Sequence, residues 1–161
     1  ILPRGVYIEK EVERFMQTGH YRIDITAMPK DNIFIDDSSK YEIIGVECKA
    51  SLNNRVKLIE QLRAYLHSGS VSRLYLATPH KLKNKAKSIL TQASAYDTGK
   101  INKLTEIGIL TVDKHGVVEE IKPAHRIELD GENMPLVGIE KRRLKEGYFK
   151  ERLYLTEVRV L

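Results

Sequence analysis

Cysteine is nearly missing from this chain: Cys48 stands alone among 161 residues. A single thiol excludes an internal disulfide and a multi-cysteine zinc site, fits a reducing compartment, and has core packing as its expected role. Long apolar runs are missing as well. No stretch approaches the roughly 18 consecutive apolar residues of a membrane span. The opening Ile1-Leu2-Pro3-Arg4-Gly5 lacks the apolar core of a secretory signal. The expectation is therefore an intracellular, cytoplasmic protein with no membrane partner. Starting at Ile1 rather than Met is what a fragment would show. Two phosphate-binding signatures, GxxxxGK and GxGxxG, are absent. His20, His67, His80, His115 and His125 show no HExxH spacing, which argues against a zinc hydrolase. His80, beside a basic stretch, is the one histidine that stands as a candidate phosphate contact.

What is present reads as one globular domain, with 42% hydrophobic and 30% charged residues. The net charge of +5 and pI near 9.2 favour a polyanionic partner. Lys81, Lys83, Lys85 and Lys87 alternate through one stretch. Lys141, Arg142, Arg143, Lys145, Lys150 and Arg152 crowd a second, opposed by Glu146 and Glu151. Solvated helix faces explain either run as readily as phosphate contact does.

Periodicity orders the elements. Ile8, Val12, Phe15 and Met16 recur at helical spacing, which predicts an amphipathic helix over 7–16 ending near Gly19. Strands are expected over 21–28, 33–36 and 41–50, separated by Pro29-Lys30-Asp31-Asn32 and Asp37-Ser38-Ser39-Lys40. A helix over 55–67 carries the stripe Val56, Ile59, Leu62 and Leu66. A strand over 72–78 stops at Pro79, and Leu82, Ala86, Ile89 and Ala93 mark the next helix before a strand over 107–112. In the tail, 117–121 and 125–129 read as short strands, 139–149 as a basic helix and 153–160 as a last strand. Helices alternating with strands imply an α/β fold with a mixed sheet. Its main unit spans 1–116, and 117–161 form a small basic α/β extension packed on the same domain, suited to DNA binding or dimerisation.

The chemistry centres on Glu47-Cys48-Lys49, which ends the apolar run Ile43-Ile44-Gly45-Val46. Strand alternation puts Glu47 and Lys49 on one face and Val46 and Cys48 on the other. Asp24, between Ile23 and Ile25, would supply a second carboxylate from a neighbouring strand; a hard cation and an attacking water need such a pair beside a lysine. Asp36 is the alternative first acid, although Asp36-Asp37-Ser38-Ser39 has the composition of a turn. Gln61 and Tyr65, four apart, share a helix face. A cross-strand ion pair would explain Glu47 and Lys49 alone, and core packing would explain Tyr65.

Asp24, then Glu47-Cys48-Lys49, resembles the PD-(D/E)xK nuclease superfamily over residues 5 to about 113, with Ile23 where the motif has its nominal proline. Gln61 and Tyr65 are similar to the Gln-x-x-x-Tyr element of the RecB-like and Cas4-like branches. Gly5-Val6-Tyr7-Ile8-Glu9 resembles the first helix of archaeal Holliday-junction resolvases, which makes Glu9 a further acid and an archaeal viral source an expectation. The resemblance implies a restriction-endonuclease-like αβββαβ core, its mixed sheet flanked by helices. It also implies Mg²⁺ or Mn²⁺ held by Asp24, Glu47 and the Cys48 backbone carbonyl, with Glu9 as a further acid and Asp36 as the alternative to Asp24. Catalysis would fall to Asp24, Glu47, Lys49, Gln61 and Tyr65, and DNA contact to Lys81, Lys83, Lys85, Lys141, Arg142 and Arg143. The implied function is a metal-dependent deoxyribonuclease acting on duplex, branched or terminal DNA in recombination, repair or replication, as a homodimer or higher oligomer, in the host cytoplasm if viral. The alternative is a non-catalytic DNA-binding protein that keeps the fold.

Overall fold

The computed structural model describes residues 6–16, 19–29, 40, 42–68, 71–97 and 103–127. Two long strands, β1 (Val6–Met16) and β2 (Gly19–Pro29), pair antiparallel from Val6↔Pro29 to Met16↔Gly19. They lead into β3 (Ile44–Cys48), helix α1 (Arg55–Ser68), β4 (Arg73–Pro79), helix α2 (Lys83–Ser94), β5 (Gly108–Val112) and β6 (Val118–Lys122). The strands form one six-stranded sheet in sequence order. The β3–β4 and β4–β5 pairs are parallel, and the other neighbours are antiparallel. The chain is thus mixed α/β, with both described helices serving as crossovers between parallel strands.

The first expected element is overturned. Residues 7–16 form a strand, not a helix. The spacing of Ile8, Val12, Phe15 and Met16 satisfied a helical period, but the segment is rich in β-branched and aromatic residues. A complementary strand begins only two residues after it, so cross-strand pairing outweighs a weak local preference. The same strand removes the first helix of the expected core from the described residues. It also takes up the position of a strand preceding the one that carries Asp24. Expected elements at 33–36, 139–149 and 153–160 lie outside the described residues; residues 125–127 are not in a strand.

Burial explains the crossovers. Leu58, Leu62, Tyr65 and Leu66 of α1 and Ala86, Ile89, Leu90 and Ala93 of α2 pack on one sheet face with Ile23, Ile43, Leu74, Leu76 and Ile109. Each fully buried leucine there contributes roughly 1.5–3 kcal/mol. The expected stripe on α1 is rotated: Val56 is 68% exposed, and Leu58 and Tyr65 take the inner positions. Asn54 sets the start of α1, its Oδ1 accepting from the Lys57 amide at 3.2 Å as an N-cap does. The opposite face buries Ala27, Ile44, Val46, Tyr75, Ala77 and Leu110 with Ala124. Because β3, β4 and β5 are covered on both sides, they read as continuous apolar runs.

Two polar ties fix the helices and the sheet end. Arg63 Nη2 donates to the Ala93 carbonyl (3.1 Å) and Asp97 Oδ1 (3.2 Å), and Asp97 Oδ2 accepts from the Leu104 amide (3.0 Å). Glu42 receives both Arg73 and Arg126. β6 joins the sheet through a turn in which Asp113 Oδ1 accepts from the amides of His115 (2.8 Å) and Val117 (2.9 Å), while Gly116 takes φ +80°. No helix among the described residues is long and apolar enough to cross a membrane.

Candidate active site

The β2–β3 ladder ends at Ile25↔Val46. One step further along the same register stand Asp24 and Glu47. The Lys49 amide donates to the Ala77 carbonyl on the β4 side (2.9 Å), so the Cys48 amide, one residue earlier, faces β2. There it donates to Asp24 Oδ2 at 2.7 Å. A side-chain carboxylate has taken the place of a backbone carbonyl at the point where the strands part. Local strand geometry therefore pins the first acid beside the triplet.

Glu47 lies on the helix-covered face and is only 1% exposed. Its Oε1 accepts from Lys49 Nζ and from Gln61 Nε2 (2.8 Å), and its Oε2 accepts from Tyr65 Oη (3.0 Å). Gln61 Nε2 also lies 2.7 Å from Tyr65 Oη. The four-residue spacing on α1 stacks the amide and the phenol over one carboxylate, as neighbours on one helix face must be. Tyr65 is fully buried, so its ring packs in the core while its hydroxyl serves the site. The structure thus brings Asp24, Glu47, Lys49, Gln61 and Tyr65 into one cluster.

Burial raises Glu47 above the usual carboxylate range; hydrogen bonding and charge from Lys49 pull it down, and the nearby Asp24 charge pushes it up again. Burial, followed by the Glu47 charge, holds the Tyr65 phenol far above its ordinary value, so it stays a donor. Cys48 is exposed at the strand end, yet protein behind it and the charges of Asp24 and Glu47 raise its thiol. A protonated thiol is a poor nucleophile.

Glu9 belongs to β1, opposite Thr26 in register; its side chain lies outside the described residues. Asp36, Lys141, Arg142 and Arg143 lie outside them entirely. The alternating lysines do not share a face, because the run crosses from a 3₁₀ turn over His80–Leu82 into α2. Lys83 Nζ is 3.4 Å from His80 Nε2, and Lys85 Nζ is 3.4 Å from Asn53 Oδ1. Lys81 instead lines a cleft of about 750 Å³ together with Lys49, Thr78, His80, Asp113 and Lys114. Sequence reading missed Asp113 and Lys114. The turn itself was visible in Gly116, but only the β3–β4–β5 order carries it to the triplet.

Among the described residues no three His, Cys, Asp or Glu side chains converge as a metal group. Two carboxylates do adjoin; Glu47 is raised chiefly by its burial, and the Asp24 charge adds to that. Oxygen donors with excess negative charge suit Mg²⁺ or Mn²⁺, and Mg²⁺ commonly takes one or two carboxylates and completes its shell with water and phosphate. The donor set therefore fits such an ion. A scan against protein-family models and searches of curated proteins and of solved structures return no match for this chain.

Proposed function

We propose that this chain is a divalent-metal-dependent DNA nuclease with a restriction-endonuclease-like core, a member of the PD-(D/E)xK superfamily acting in recombination, repair or replication. The observation that carries the reading is the buried Glu47 carboxylate, held by Lys49, Gln61 and Tyr65 with Asp24 at the adjoining position. A cross-strand ion pair would need neither the glutamine nor the tyrosine. Ion pairing alone also gives no reason to bury one acid beside another, since burial and like charge both oppose ionisation.

Asp24 and Glu47, with the Cys48 backbone carbonyl, would hold the ion. A bound divalent cation supplies Lewis acidity at the phosphate and makes water a stronger nucleophile at neutral pH. Gln61 and Tyr65 fix the rotamer of Glu47 through both oxygens, so the carboxylate needs little reorganisation when the site fills. Lys49 is shared between Glu47 and the cleft, with 30% of its side chain exposed. From there its ammonium can orient water or offset charge that develops on a phosphate oxygen. Pairing of two such sites by two-fold symmetry is the assembly this reading expects for cutting both strands.

The test is Mg²⁺- or Mn²⁺-dependent cleavage of labelled single-stranded, duplex and branched DNA. Lys49→Ala should slow it by ~10²–10³-fold, the range for removing one electrostatic stabiliser, with the circular dichroism spectrum unchanged. Absence of cleavage on every substrate would leave the non-catalytic DNA-binding alternative.

A further inference from the structure

A second groove opens toward the other end of β5, away from the cleft that Lys49 lines. The cleft meets β5 at Val112, its last residue, whereas this groove meets it at Ile109. Helix α2 forms one wall with Lys87 and Leu90, and β6 forms the other with Ile121 and Lys122. Leu90 and Ile109 close the floor, and Ile121 is half-buried. Strand β6 ends the sheet, and no described strand pairs with its outer edge. An edge strand leaves alternate amides and carbonyls without a ladder partner, and so accepts an added strand.

A register irregularity aims the β6 wall. Lys122 stands opposite Ile109 and Glu120 opposite Leu110, so Ile121 is the extra residue of a β-bulge. In a regular strand two successive side chains leave by opposite faces, yet Ile121 and Lys122 both line the groove. Lys122 Nζ donates to the carbonyls of Thr105 and Ile107, which fixes its charge at the groove and leaves one of its three hydrogens for a ligand. Lys87 is exposed and makes no hydrogen bond or ion pair with another described residue. No Asp or Glu lines the groove among the described residues. Two ammonium groups beside an aliphatic floor select an apolar side chain with a carboxylate near it. Glu119 and Glu120, exposed on the same strand, repel a chain with negative charge at every step. That disfavours nucleic acid and favours a peptide with an acid placed at the lysines. Residues two apart on an added strand share a face, so the apolar and acidic side chains would stand at i and i+2.

We propose that this groove binds an extended peptide segment of a partner protein, added as a further strand to the outer edge of β6, with an apolar side chain between α2 and β6 and an acid two residues away against Lys87 and Lys122. Main-chain hydrogen bonds to β6 supply affinity, and the groove supplies selection. The binding is independent of the nuclease reading.

The experiment is fluorescence anisotropy with the fluorescein-labelled peptide Thr-Val-Thr-Leu-Thr-Glu-Thr-Val and a twin in which lysine replaces glutamate. The wild type should prefer the glutamate peptide. Lys87→Ala should weaken that binding by up to ~5-fold, the effect of losing an exposed ion pair, with the urea midpoint unchanged, and Lys87→Glu should reverse the preference. Ile121→Asp should abolish binding of the glutamate peptide. Hydrogen exchange should slow at the β6 amides that do not bond β5, and only when peptide is added. No binding at millimolar peptide, or no discrimination between the two peptides by wild type and Lys87→Glu, would overturn the proposal. So would protection of those amides without peptide. Protection at every protein concentration would mean that a segment of this chain outside the described residues holds the edge, and protection that grows with concentration would mean that a second copy does.

Discussion

Glu47 must remain a carboxylate while almost wholly enclosed by protein, and its three side-chain donors are what make that tolerable. Tyr65 contributes one hydroxyl to that shell and a ring to the core, so Tyr65→Phe separates the two roles. The ring is kept and Glu47 Oε2 loses its phenol donor. The expected cost is ~1–3 kcal/mol in urea denaturation, the range for leaving a buried acceptor short of a partner. Mn²⁺ affinity, measured by titration calorimetry, should fall 10–100-fold, as for loss of a group that orients a ligand. A variant with wild-type stability and wild-type affinity would make the Tyr65 hydroxyl incidental. At this scale the sequence was informative. Acid-x-Lys at the end of an apolar strand and Gln-x-x-x-Tyr on a helix both name side chains whose directions follow from fixed periods of two and 3.6.

Elements behave differently, because what decides them lies in their neighbours. Residues 7–16 satisfy a helical pattern and form a strand, since β2 is available to pair along the whole length of β1. On α1 the apolar positions admit more than one inward face, and packing chooses the one with Leu58 and Tyr65 inside and Val56 out. Gly108 shows the same dependence within β5. A Cβ there would come within 2.4 Å of the Tyr75 ring and 2.6 Å of the Ala124 amide nitrogen. The ring is itself held, its hydroxyl donating to Glu120 Oε2 at 2.7 Å. Gly108→Ala should therefore destabilise the fold by ~1–3 kcal/mol, the usual cost of overpacking, seen as a lower urea midpoint. A midpoint within error of wild type would show that β4 and the 124 segment can part at little cost.

For the whole molecule, the raised carboxyl of Glu47 couples folding to pH and to metal. Below its ordinary value of 4.5 the group is protonated whether the chain is folded or not. As pH rises past 4.5 the unfolded chain releases the proton first, so the folded state binds more protons and stability declines until pH passes the raised folded value. In metal-free buffer the wild type should therefore lose stability relative to Glu47→Gln as pH rises from 4.5 toward neutrality, measured as the difference between their urea midpoints. Mg²⁺ should reverse that loss, adding about 2.7 kcal/mol at a hundred times its Kd, in the wild type alone. A difference that is flat with pH and indifferent to Mg²⁺ would remove both the burial argument and the metal site.

The sequence by itself determined what depends on local rules: an α/β chain, apolar strands within 41–50, 72–78 and 107–112, the helices between them, and a carboxylate and a lysine sharing one strand face. Those features follow from side-chain period and from the need to bury apolar surface, and neither needs long-range information. Tertiary structure alone decided the rest. It closed β1 onto β2 and ended the β2–β3 ladder where Asp24 could take the Cys48 amide. It set Tyr65 over Glu47 and carried Lys114 to the cleft that Lys49 lines. Each of these joins residues far apart in the chain, and their meeting depends on strand order and register, which result from packing the whole sheet and are encoded in no single segment.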